Sequence, residues 1–261
     1  MNILDKIVGK KKKRLEIRKR ILPQSEIIKK VNSLPATKDF LKAISGNKVS
    51  IIAEIKKESP SAGVILKRLY LKKIVSAYNE TGVNAISVLT EEDFFKGRLP
   101  SLMDVRDLTE LPILRKDFII DEYQVYESRF FGADCILLIS RILTQERIEK
   151  LLEIAHSLTL DCLVEVDSEA QLRKVLNTKA KIIGINNRNL KNFKIDLSKT
   201  KKLIKKIPKD KIIVSESGIK SLRDVSLLKT FPLDAVLIGQ YFLQAKDRVK
   251  RINDVKRLLA D

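Results

Sequence analysis

The chain has 261 residues, of which 44% are hydrophobic and 33% charged, and its 52 lysines and arginines against 33 aspartates and glutamates give a formal charge of +19. Abundant Val, Ile and Leu exclude an intrinsically disordered chain. The two distant cysteines, Cys135 and Cys162, exclude a disulfide framework, and the longest apolar run, Cys135 to Ile139, is too short to cross a bilayer.

In chain order, Ile3 to Arg20 reads as an amphipathic helix. Ile3, Leu4, Ile7, Val8 and Leu15 share one face, lysines cover the other, and Pro23 ends it. The dense run Lys10 to Arg14 reads as its solvated face. A second helix is expected over Thr37 to Ile44, with Thr37 as N-cap. From residue 50 one pattern recurs, a short β-branched run ending in polar residues and then a helical segment. The strands are expected at Ser50 to Glu54, Ala85 to Leu89, Ile113 to Arg115, Cys135 to Ile139, Cys162 to Val166, Ile182 to Ile185, Ile212 to Glu216 and Ala235 to Ile238. Helices are expected near Ile74 to Thr81, after Ser101, and at Glu122 to Phe131, Thr144 to Leu158, Ser168 to Leu176, Ser198 to Lys205, Ser221 to Leu228 and Asp247 to Leu259.

Strands alternating with helices imply a parallel sheet, and eight units in this length imply closure. The fold class expected is α/β, a (β/α)8 TIM barrel with an N-terminal helical extension. Residues 1–261 form one domain, and residues 1–46 are the extension within it. An open doubly wound sheet is the alternative, and it lacks a GxGxxG after the first strand.

The charge leaves three readings open: a nucleic-acid binder, an enzyme for anionic substrates, or a lysine-rich solvated surface. No aromatics interleave with the Lys10 to Arg14 run, as RNA-binding segments usually require. The only histidine, His156, lies in a helix-like stretch, so histidine catalysis is not expected. No CxxC, Cys/His spacing or Asp cluster suggests a metal. No signal peptide is visible, and a cytoplasmic protein with two reduced, buried thiols is expected.

In a barrel, chemistry comes from strand carboxyl ends and the loops behind them. Those ends here carry Glu54 and Lys56, then Ser59; Arg115-Lys116-Asp117-Phe118; Glu165; Asn186-Asn187-Arg188; Ser215-Glu216-Ser217-Gly218; and Gly239-Gln240. Glu54 and Lys56 are two apart and point to one side of a strand. Glu165 sits in an apolar strand, where an unpaired carboxylate is costly. Each alone could be a structural ion pair, but several converging at one rim suggest a lysine/carboxylate catalytic cluster. Gly218 and Gly239, each expected at a helix start after the seventh and eighth strands, suit phosphate binding by backbone N–H groups.

At these residues the chain resembles the indole-3-glycerol phosphate synthase family. The matching stretches are IIAEIKKESPSAGVI (51 to 65), ISVLTEEDFFKG (86 to 97), PILRKDFIIDEYQVYESRFFGADCILLI (112 to 139), LVEVDSEAQL (163 to 172), IGINNRNL (183 to 190), VSESGI (214 to 219) and VLIGQYF (236 to 242), together with the opening helix. The resemblance implies a cofactor-free lyase. A carboxyphenylamino-deoxyribulose 5-phosphate closes its ring, losing CO₂ and water, to give indole-3-glycerol phosphate in tryptophan biosynthesis. It implies that Lys116 is the general acid and that Glu165 assists it. Lys56 and Glu54 would anchor substrate and serve the later dehydration, and Asn186 and Ser217 would position the intermediate. Arg188 would lie near an anionic end, with Phe95 and Phe118 around the aromatic ring. Ser59, Gly218, Gly239 and Gln240 would hold phosphate together with Lys56, and Glu216 belongs to the same substrate-binding set. Gln240 departs from the small residue many relatives carry after the glycine, which backbone N–H binding would tolerate. The expected partner is a phosphorylated small molecule, with no nucleic acid, no membrane and no metal, acting on a monomer or weak homo-oligomer. A phosphoribosylanthranilate isomerase-like barrel and an RNA-binding protein are the alternatives.

Overall fold

In the computed structural model, residues 3–189 and 194–260 are described. The β-branched runs form eight parallel strands, β1 (Ser50–Ile55), β2 (Ala85–Leu89), β3 (Ile113–Lys116), β4 (Cys135–Ile139), β5 (Asp161–Val166), β6 (Ile182–Asn186), β7 (Ile212–Glu216) and β8 (Ala235–Ile238). Neighbours in sequence are neighbours in the sheet, and β1 pairs with both β2 and β8, in register Ile52↔Ala85 and Ser50↔Ala235, so no edge is left open. This is a closed (β/α)8 barrel. Val, Ile and Leu dominate its strands because both faces are covered.

Helices α1 (Ile3–Ile21), α2 (Gln24–Val31) and α3 (Phe40–Ile44) precede the barrel. Helices α4 (Leu71–Thr81), α5 (Ser101–Arg106), α6 (Glu122–Phe130), α7 (Gln145–Ser157), α8 (Glu169–Leu176), α9 (Ser198–Ile204) and α10 (Leu222–Lys229) alternate with the strands. Two more, α11 (Gln240–Leu243) and α12 (Arg248–Ala260), close the chain. Their starts are chemically marked. Thr144, Ser168 and Ser221 each accept a hydrogen bond from a first-turn amide, and α6 and α10 carry full capping boxes at Asp121/Gln124 and Ser221/Asp224. The outward side chains of the strands pack against the helix ring. The inward ones, among them Ile52, Leu114, Leu137, Leu163, Ile182 and Val214, fill the barrel.

The extension embraces both ends of the barrel. At the amino ends of the strands, the Lys38 and Leu41 amides donate to Asp134 and Asp161, while Phe40 and Ile44 join the interior cluster. At the carboxyl ends, α1 pairs Lys11 with Asp117, Arg14 with Asp93 and Arg18 with Glu92 and Glu127.

Four sequence expectations change. Helix α3 starts at Phe40, capped by Asp39 rather than Thr37, whose hydroxyl bonds to the Thr159 carbonyl instead. The Lys10 to Arg14 run is not all solvated: Lys11 is 1% exposed, because it continues the buried stripe Leu4, Ile7, Lys11, Leu15. Gly218 does not start a helix, since α10 begins at Leu222 behind its own cap, Ser221. The sequence reading also leaves out α2, α11 and the hairpin pairing Glu58–Ser59 with Gly63–Val64. Met1, Asn2, Asp261 and Leu190, the last residue of the IGINNRNL stretch, lie outside the described residues. Among the described residues, no helix is long and apolar enough to cross a membrane.

Candidate active site

The carboxyl ends of the strands open into a cavity of about 1070 Å³. Glu54, Lys56, Ser59, Phe95, Lys116, Phe118, Glu165, Asn186, Arg188, Glu216, Ser217, Gly218, Gly239 and Gln240 all line it. The residues to which the family resemblance gives a role therefore meet at one place, from strands and loops far apart in sequence, while Arg115, Asn187 and Ser215 of the same strand ends do not line it.

At the centre, the Lys116 ammonium lies 2.6 Å from Glu216 Oε2 and 3.3 Å from Glu165 Oε2. Lys56 forms its own pair with Glu54 Oε1 at 2.5 Å. Burial disfavours the Lys116 charge, but Glu216, Glu165 and Glu54 outweigh it and hold its pKa above the ordinary lysine value. Glu216 is pushed the other way: burial, together with the Glu165 and Glu54 charges, raises it to about 7 against the pull of Lys116. Its second oxygen, Oε1, is buried without a hydrogen bond. Arg188, across the cavity, is lowered by burial and steadied by Glu54.

Two glycines make room for these carboxylates. A Cβ on Gly184 of β6 would stand 2.0 Å from Glu216 Oε1, and one on Gly239 would stand 2.6 Å from Glu54 Oε1. Ser217 and Gly218 both take positive φ, 67° and 102°, so the chain turns sharply as it leaves β7. Asn187 pins that turn, its amide donating to the Ser215 hydroxyl and the Glu216 and Ser217 carbonyls.

Apolar and polar ends are separated around the cavity. The Phe95 and Phe118 rings pack at 6.2 Å between centroids, with Leu89, Leu137 and Ile139 also on the wall. Gly218, Lys220, Gly239 and Gln240 lie at the ends of β7 and β8, where Gly239 caps the short helix α11. The arrangement offers an apolar slot, a cationic and amide-rich end, and an acid between them. Asp117, Asn187 and Glu91 also hold the site together, although nothing in the sequence marks a role for them. Glu91 is 1% exposed and accepts from the amides of Asp93, Phe94 and Phe95.

A family model described as indole-3-glycerol phosphate synthase matches residues 4–255 of this chain. The chain belongs to the indole-3-glycerol phosphate synthase family. It is 44% identical to the indole-3-glycerol phosphate synthase of Alkaliphilus metalliredigens over 99% of this chain and 100% of that one. It is 47% identical to that of Caldanaerobacter subterraneus over 95% and 96%, and 49% identical to that of Acetivibrio thermocellus over 84% of each. Among solved structures, KGPDC from Streptococcus mutans superposes with a TM-score of 0.63 at 14% identity, covering 82% of this chain and 98% of that one. The 3-hexulose-6-phosphate synthase from Salmonella typhimurium superposes with a TM-score of 0.62 at 12% identity, covering 81% and 99%. At these identities the two structures show the fold alone. The activity is that of indole-3-glycerol phosphate synthase, a carboxy-lyase of tryptophan biosynthesis that closes a ring with decarboxylation.

Proposed function

We propose that this chain performs the synthase reaction at the barrel mouth with Lys116 as the general acid. The substrate, a carboxyphenylamino-deoxyribulose 5-phosphate, lies with its aromatic ring against Phe95 and Phe118. Its phosphate lies toward Ser59, Lys56, Gly218, Gly239 and Gln240. A carbon–carbon bond forms between the ring carbon bearing the carboxylate and the ribulose carbonyl carbon. The carbonyl oxygen takes a proton from Lys116 and becomes a hydroxyl. CO₂ departs, and the electron pair it leaves restores the aromatic ring. The hydroxyl then leaves as water, and loss of a proton completes the indole.

The observation that carries this reading is the Lys116 ammonium, held between Glu216 and Glu165 at the floor of the cavity. A lysine held charged in a partly dry site can donate a proton to a developing alkoxide without first having to bind one. Glu165 and Glu216 orient it, and Glu165 assists proton movement. Lys56, paired with Glu54, anchors the substrate and serves the dehydration; Asn186 and Ser217 hold the intermediate, and Arg188 meets an anionic end. The chain works as one domain with its extension, in the cytoplasm, as a monomer or weak homo-oligomer with no nucleic-acid partner.

Lys116→Ala tests the assignment. Turnover, followed by the fluorescence of indole-glycerol phosphate, is expected to fall at least a thousandfold with an unchanged circular dichroism spectrum, on the scale of losing an essential acid. A wild-type rate in the folded variant would remove Lys116 from the mechanism. Phosphoribosylanthranilate assayed alongside separates this reading from an isomerase.

A further inference from the structure

Lys11 is a lysine with almost no access to water, on the buried stripe of α1 beside Leu4, Ile7 and Leu15. Its ammonium lies 2.7 Å from Asp117 Oδ1, and it makes no hydrogen bond to another described group. Asp117 follows Lys116 directly and precedes Phe118. Its Oδ1 also accepts from the Phe118 amide at 2.8 Å, and its Oδ2 accepts from the Thr90 hydroxyl at 2.7 Å and from Arg115 at 2.9 Å. Burial alone would raise the Asp117 carboxyl, but Lys11 and Arg115 hold it well below the usual carboxylate range, so it stays an anion in a dry site.

From this geometry we infer that Lys11 is a positioning residue for the reaction, acting through Asp117 on the turn that carries Lys116 and Phe118. The inference rests on the role of Lys116 given above. Asp117 is the hub: one carboxylate fixes the amide of Phe118, ties to β2 through Thr90, and is charge-balanced from two sides. Arg115 comes from the same strand as Lys116 and ties it to α6, through the Gln124 carbonyl, the Ser128 hydroxyl and Glu127, but not to the extension. Lys11 comes from α1, so it makes the docked extension part of the frame that sets the acid. A buried ion pair is weak evidence of net stability, because desolvation offsets most of its attraction. Such a pair is better suited to fixing geometry, and here the geometry fixed is that of the acid and of one wall of the ring slot. Misplacing a reacting group by about 1 Å can cost on the order of a hundredfold in rate.

The test compares Lys11→Met with Lys19→Met in the full chain. Lys19 also sits on α1 but pairs with Asp121, away from the cavity. Lys11→Met is expected to lower kcat at least tenfold while KM moves less than threefold, and Lys19→Met is expected to leave both unchanged. In the double variant with Asp117→Asn, the loss should be no greater than for Asp117→Asn alone, because the two act along one path. Lys11→Gln, which keeps a donor toward Asp117, should recover part of kcat, and it carries the same reading if Lys11→Met does not fold. A folded Lys11→Met or Lys11→Gln with wild-type kcat and only a lower melting temperature overturns the inference, as does an equal loss in Lys19→Met. If Lys116→Ala is inactive while Lys11→Met is not impaired, the acid stands and only the role of Lys11 falls.

Discussion

Two missing side chains shape the site as much as the charged ones present. Glu216 can approach Lys116 because residue 184, on the adjacent strand, has no Cβ. Gly184→Ala would place a methyl 2.0 Å from Glu216 Oε1 and 3.2 Å from Leu163 Cδ1, so the carboxylate must leave its place against the lysine. Steady-state kinetics should show kcat reduced roughly ten- to a hundredfold, since misplaced catalytic groups cost on that scale. An active, folded Gly184→Ala enzyme would show that the Glu216 contact is dispensable. The titration of Glu216 gives a second check. Its pKa is raised to about 7 by burial, so it gains a proton as pH falls through neutrality, far above the ordinary glutamate value of about 4.3. A protonated Glu216 no longer holds the ammonium as an anion, so kcat/KM should decline below about pH 7. Glu216→Gln should remove that limb at the cost of a lower plateau. An identical acid limb in wild type and Glu216→Gln would assign it to another group, the substrate phosphate included.

At the scale of elements, α1 is the least expected participant. It grips the loop after β3 through Lys11 and the loop after β2 through Arg14, which meets Asp93 at 2.7 Å and Glu92 at 2.9 Å. The second loop carries Phe95, and Glu91 gathers its amides into a tight turn. Arg14→Ala should loosen this wall of the ring slot without touching Lys116. Because the pair is half exposed, the effect should be near 1 kcal/mol, so KM should rise about two- to fivefold with kcat nearly unchanged. A tenfold drop in kcat instead would mean that this loop also sets the acid. How much of this could be read from sequence follows from what each residue does. The strands were legible because a run such as Ile212 to Glu216 is apolar on both faces and stops at polar residues. The residues that line the cavity were legible because closure of the barrel forces strand ends together. The hairpin of two-residue strands and the four-residue α11 have no period long enough to detect. Lys11 was legible in principle, since it stands where the spacing of Leu4, Ile7 and Leu15 demands an inward residue, but the four cations around it hid the position. Asp117, Asn187 and Glu91 serve by accepting from or donating to backbone groups, a role that leaves no pattern in side-chain type.

Over the whole molecule, the +19 charge is not spread evenly in its effect. On α1, several cations are spent on acidic partners at the barrel loops. The barrel mouth presents Lys56, Lys116, Arg188 and Lys220, of which Lys56 is paired with Glu54 and Lys116 with Glu216 and Glu165. Beside it, a second cavity is lined by Lys57, Lys67, Arg68, Lys96 and Arg98, with Asp104 as its one acidic residue. A phosphate and a carboxylate on one small molecule make a polyanion, and a cationic mouth of this kind raises its rate of encounter and its occupancy. Such an effect weakens as salt shortens the screening length from about 30 Å at 0.01 M to about 8 Å at 0.15 M. The value of kcat/KM should therefore fall severalfold between those ionic strengths, while kcat, measured with the substrate already bound, stays nearly constant. Reversing two cations that lie outside the site, Lys67→Glu with Arg98→Glu, should lower kcat/KM at low salt and flatten its salt dependence, with the two enzymes converging at high salt. If the double variant keeps the wild-type slope, the field that captures the substrate comes from the site's own Lys56, Lys116 and Arg188, and the surrounding lysines are only a solvated coat.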